Sequence, residues 1–156
     1  MTELLTTPDI ASSIIFWAFS LAIAVHDLKS MKIPDLLVYS GTAVLFIYKA
    51  AFSRSGLTLC IISSLLSVAL FAAVRSVSRG GLGWGDVKYS ALCGLYAGLI
   101  GVFVGYIVSA LFCALYFLIL KAVKKYDKEK AVPFAPFMAA GTITVTLAPI
   151  VKTIGS

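Results

Sequence analysis

Charge is what this chain has least of. Of its 156 residues, seven are Asp or Glu, thirteen are Lys or Arg and one is His. Charged residues make up 13% and hydrophobic ones 60%, where a soluble domain carries about 25% charged. With a mean hydropathy of +1.00 the composition excludes a soluble globular domain and implies an integral membrane protein. Cysteine is scarce too. Cys60, Cys93 and Cys113 each lie in apolar sequence, with no CxxC pair and no ligand set beside them, so a zinc site or disulfide framework has no support and packing is their expected role. No Lys or Arg precedes Lys29, so the basic stretch that opens a cleaved secretory signal is missing and the first apolar run is expected to remain as a span.

The chain has room for about six short spans and little else. The expectation is therefore an all-α polytopic membrane helix bundle forming one domain over residues 1–156, with no cofactor and no metal. A net charge of +6 raises the question of nucleic acid, but the basic residues sit in short loops between apolar runs and not on one long face. They read as topology signals and lipid contacts, and no nucleic-acid partner is expected.

Charge-free runs define the spans. The first covers residues 10–25 and is closed by His26 and Asp27. Pro34 disfavours helical geometry at Ile33 and suits the first turn of a new helix, which predicts a second span from Asp35 through Tyr48, with Lys49 snorkelling to the surface. Residues 55–74 form a third run, stopped by Arg75 and Arg79. Residues 89–120 hold no charge at all. As one helix that run would be about 48 Å long, too much for one span, so a split is predicted between Gly98 and Gly101, with the first half beginning back at Trp84 or Gly85. GxxxG spacings at Gly94–Gly98 and Gly101–Gly105 read as close helix packing. After the basic loop 121–130, the prolines at 133 and 136 mark the start of a sixth run ending at Val151.

Six spans sort the basic residues unevenly. Lys29, Lys32, Arg75, Arg79, Lys88, Lys121, Lys124, Lys125, Lys128 and Lys130 fall on one side, and Lys49, Arg54 and Lys152 on the other. The positive-inside rule then predicts a multi-pass protein of the cytoplasmic (inner) membrane, with the richer side in the cytoplasm and both termini outside.

Asp27 and Asp86 fall together on that richer side. An acid at the bilayer centre costs roughly 2.5 to 3.5 kcal/mol, and an intramembrane acid is a functional candidate by default, but the cost fades toward the interface. On position alone, ordinary interfacial charge explains both. Asp86 is also simply favourable at a helix N-terminus. It follows a glycine-rich stretch, with Gly80, Gly81, Gly83 and Gly85, whose missing side chains allow an extended substrate strand to approach the carboxylate; a flexible loop is the competing reading.

Three motifs carry a resemblance. Gly83-Trp84-Gly85-Asp86 and the residues on to Gly98, Asp27 through Ile33-Pro34, and Val132-Pro133-Phe134-Ala135-Pro136-Phe137 occur in that order. Together they resemble the GxGD signature, the first aspartate motif and the Pro-Phe element of the type IV prepilin peptidases. Asp35 stands where that family usually has Asn, and Ala135 where it usually has Gly. The cysteine-motif extension of the longer bifunctional members has no counterpart here, so methylation of the trimmed pilin is not expected.

The resemblance implies an aspartyl endopeptidase in which Asp27 and Asp86 form the catalytic pair. Gly83, Gly85 and Lys88 would support the site or bind substrate. Two carboxylates sharing a site do not both ionise cheaply, so one keeps a proton while the other polarises a water. The implied partners are prepilin-like, pseudopilin or archaellin-type precursors with a short basic leader and a hydrophobic helix, cut at the cytoplasmic face, together with membrane lipid; no oligomeric state is implied. Two other functions remain open on the sequence. One is a small ion-coupled membrane transporter using the two acids as a cation site, and the other is a non-catalytic assembly subunit of a secretion system.

Overall fold

In the computed structural model, residues 9–52, 54, 56–78, 81–123 and 133–154 are described, the last seven by backbone only. Arg79, Gly80, the basic loop from Lys124 to Lys130 and Val132 lie outside the described residues.

Five helices account for nearly all of it: α1 (Ile10–Ser30), α2 (Asp35–Phe52), α3 (Leu57–Val77), α4 (Trp84–Ala122) and α5 (Ala135–Ile154). The first four are long and apolar enough to cross a membrane, and the apolar part of α5 is shorter. Local chemistry sets the ends. Asp9 caps α1 by accepting from the Ser12 amide at 2.9 Å, and Met31 ends it in the left-handed region with its amide returned to the Asp27 carbonyl. Pro34 opens α2 as its sequence context predicts, its carbonyl accepting from Leu37 and Val38.

The uncharged run is not one rod. Gly98 sits at φ 68°, ψ −176°, a conformation essentially reserved for glycine. Eight residues to either side, the Tyr106 hydroxyl donates to the Ser90 carbonyl at 3.2 Å. Along a continuous helix those residues would be about 24 Å apart, so the chain folds back on itself at Gly98. Element α4 is thus a hairpin of two limbs, residues 84–97 and 99–122, and the described residues form six helical segments. The break falls inside the predicted interval.

The first limb is the centre of the molecule, with Tyr89, Leu92, Cys93 and Tyr96 fully buried. Close approach, more than bulk, holds its neighbours. A Cβ on Gly94 would lie 2.7 Å from the Ser64 Cα of α3, so α3 packs backbone to backbone there, and Gly141 of α5 meets Ser109 and Gly105 of the second limb in the same manner. Of the glycines in GxxxG spacing, then, Gly94 and Gly105 pack while Gly98 turns the chain.

The ends of the helices separate into two groups. At one end lie Asp9, Ser13, Tyr48, Lys49 and Tyr96, joined by Tyr48 to Asp9 at 2.8 Å and Tyr96 to Ser13 at 3.0 Å. Lys49 does not snorkel outward. It is buried, and its ammonium donates to the Tyr96 carbonyl at 3.2 Å and the Cys60 sulfur at 3.3 Å. The reason is the fold-back: a limb that stops at residue 97 leaves its last carbonyls without helical partners, and Lys49 supplies a donor. At the opposite end the last turns of α1 and α3 meet the first turns of α2, α4 and α5. All three sequence motifs are gathered there.

Candidate active site

Asp27 lies in the last turns of α1 and is only 5% exposed. Its Oδ2 accepts from the Ala135 amide at 3.2 Å. That amide opens α5 and is one of the N–H groups a helix start leaves unpaired, so the contact satisfies a buried carboxylate with a donor the helix has to spare. The Pro-Phe element therefore does more than begin a helix. It presents a backbone N–H to Asp27, and Ala135, fully buried, fills the position where glycine is usual without disturbing that amide.

Asp86 is the third residue of α4, in the first turn, where the helix dipole favours an anion. It is 9% exposed. One carboxylate oxygen, Oδ1, is buried without a hydrogen-bond partner; the other lies so near Gly83 that a Cβ there would stand 3.1 Å from it. Gly85 answers a second crowding. A side chain on it would come within 2.7 Å of the Ile33 Cβ, so its absence lets the Ile33-Pro34 segment lie directly against the turn that carries Asp86. In this way the first aspartate motif and the glycine turn are seated on each other, although more than fifty residues separate them.

Both carboxylates line one cavity of about 350 Å³, with Met31, Lys32, Ile33, Asp35, Gly83, Trp84 and Gly85. The structure thus brings together four of the five residues singled out from sequence.

The fifth, Lys88, points elsewhere. Its ammonium pairs with Asp35 Oδ2 at 2.7 Å and lies over the Tyr39 ring at 5.6 Å, tying α4 to the start of α2. Residues two apart on a helix face different ways, which is why Lys88 reaches Asp35. His26 likewise turns from its neighbour Asp27: its Nδ1 lies 2.8 Å from both the Lys32 carbonyl and the Ser30 hydroxyl, bracing the loop that walls the cavity. Among the described residues no three His, Cys, Asp or Glu side chains gather as a metal-binding group.

Three contributors had no functional weight in the sequence. Ala135 acts through its amide, which no residue type announces. Asp35, noted in sequence as an acid after Pro34 where Asn is usual, is a third carboxylate on the cavity wall. Arg75, counted among the topology charges, donates from Nη1 to the Leu82 carbonyl and stacks 4.8 Å from the centre of the Trp84 ring.

Comparison with known proteins bears on what this arrangement is for. The sequence profile of the type IV leader peptidase family matches residues 14–118, about two-thirds of the chain. The chain belongs to the type IV leader peptidase family. The matched segment contains Asp27, Asp86 and the glycine turn but ends before α5, so the Ala135 amide comes from outside it. A prepilin leader peptidase/N-methyltransferase of Bacillus subtilis (strain 168) is 24% identical over 139 residues, covering 89% of this chain and 56% of that relative. This family member thus spans a little over half the length of the curated relative it matches. No solved structure matches it.

Proposed function

We propose that this membrane protein is an aspartyl endopeptidase that removes the short basic leader from pilin-like precursors at the cytoplasmic face of the cell membrane. The observation that carries the reading is the meeting of two buried acids, Asp27 from α1 and Asp86 from α4, on one open cavity in a member of a leader peptidase family. Burying a carboxylate without a charge partner is costly, and two of them at one site are not a packing solution.

The chemistry follows from the pair. One proton is shared between the carboxyl groups, and the ionised member takes a proton from a water as the water oxygen bonds to the scissile carbonyl carbon. The protonated member donates to the developing oxyanion. As the C–N bond breaks, a carboxyl proton passes to the leaving amine, and the pair is left with one proton again. The proton belongs to the pair and not to either residue. The Ala135 amide holds Asp27 in place throughout.

The basic residues Lys29, Lys32, Arg75 and Lys88 at the cavity end support a cytoplasmic setting for that end. A precursor whose apolar helix lies in the bilayer would meet the cavity with its leader junction, while anionic lipid attracts the leader itself. A cation-coupled transporter fits less well. Its site belongs near mid-bilayer at a helix break, whereas the break at Gly98 lies at the far end from both acids.

The test is direct. Purified protein in liposomes is incubated with a pilin-like precursor, and the products are weighed by mass spectrometry. A single cut that releases the leader is expected; precursors left intact across several basic leaders would sink the proposal.

A further inference from the structure

The turn that carries Asp86 has almost nothing of its own to hold it. Gly81, Gly83 and Gly85 have no side chains, and Gly83, the residue capping α4, offers no side-chain cap. Yet an active-site carboxylate needs a fixed position, since a misplacement of about 1 Å costs on the order of a hundredfold in rate. The anchor therefore comes from another element. Arg75, half-buried in the last turn of α3, reaches both sides of Gly83: its guanidinium donates to the Leu82 carbonyl and covers one face of the Trp84 ring. Among the described residues it makes no ion pair with a carboxylate. A planar guanidinium can donate in its plane and stack at the same time, and a lysine ammonium cannot.

Trp84 itself lines the cavity, two residues before Asp86, and is 60% exposed. With one ring face covered by Arg75, an apolar surface is left beside the two aspartates.

We propose that Arg75 is a positioning residue, holding the turn of residues 82–86 through the Leu82 carbonyl and Trp84, and that Trp84 so held is the wall on which an apolar side chain of the substrate, next to the cleaved bond, rests. This rests on the peptidase reading above. It differs from the topology role that positive charge at this end also serves, because for topology Lys and Arg are equivalent.

The chain's two tryptophans are Trp17 and Trp84, so a Trp17→Phe background makes Trp84 the reporter. In that background Arg75→Lys is compared with its parent, with folding of each checked by thermal melting. Acrylamide quenching of Trp84 is expected to rise, and kcat on a precursor to fall about ten- to a hundredfold while KM moves less than about threefold. Trp84→Ala is expected to raise KM about tenfold for precursors with a large apolar residue beside the cleaved bond, and much less when that residue is alanine, with Trp84→Phe near the parent. Arg75→Lys matching its parent in both quenching and kcat overturns the positioning role, and an unmoved KM in Trp84→Ala overturns the wall. If the parent cuts no precursor, the peptidase reading fails on its own account, and the quenching comparison still decides whether Arg75 holds the turn.

Discussion

Asp27 and Asp86 are both buried, yet they are held in different ways: Asp27 by a backbone amide from α5, Asp86 by its place in a helix's first turn and by crowding against Gly83. Because the Asp27 contact runs through the main chain, the side chain at 135 matters only for fit. Ala135→Gly keeps the amide and is expected to retain activity at a stability cost below about 1 kcal/mol. Ala135→Val overfills a fully buried position, costs about 1 to 3 kcal/mol and moves the amide, so turnover per folded molecule drops. Melting in detergent and single-turnover cleavage measure the two effects separately. Lys49 gives a contrasting case. Lys49→Met retains most of the stem but leaves the buried Tyr96 carbonyl without that donor, which is expected to cost about 1 to 3 kcal/mol while leaving turnover of the folded fraction unchanged, because the contact lies at the end opposite the cavity. Unaltered melting would contradict the capping role. The acids are legible in sequence because acids are so rare here. Lys49 is not, since nothing near residue 49 reveals that a helix will end at residue 97 and present an orphaned carbonyl to it. Arg75 is hidden for a related reason: its partners are a carbonyl and a ring, neither of which charge counting registers.

At the scale of elements, the hairpin of α4 decides the architecture. Its existence is readable from length alone, as an uncharged run too long for one pass must divide. The position of the turn follows from the one conformation only glycine adopts freely, but four glycines between 94 and 105 left the exact residue to be found in the backbone. Gly98→Ala forces a Cβ into that conformation and is expected to destabilise the fold by about 1 to 3 kcal/mol. Gly101→Ala, where an added Cβ would meet the Ala97 side chain at 3.3 Å, is expected to cost less. Thermal melting of the two variants side by side checks the ranking, and equal midpoints would contradict the assignment of the turn to Gly98. The loop between α1 and α2 was legible from Pro34, whereas its seating on Gly85 was not, because that contact joins residues far apart in sequence.

For the whole molecule, the short first limb of α4 stands out among longer helices. The first limb of α4, residues 84–97, is about 21 Å long against a hydrocarbon core of about 30 Å. Its first turn carries Asp86, a carboxylate only 9% exposed beside an open cavity. Whether two aspartates drawn from separate motifs act as one catalytic unit is decided by precursor cleavage in liposomes with the wild type, Asp27→Asn, Asp86→Asn and the double variant, each verified as folded. Asparagine keeps the shape and removes the titration. Each single variant is expected to lose at least about a thousandfold in kcat and the double variant to be scarcely worse, as groups acting as one unit are not additive. A folded single variant that still cuts at the wild-type rate would contradict this shared role.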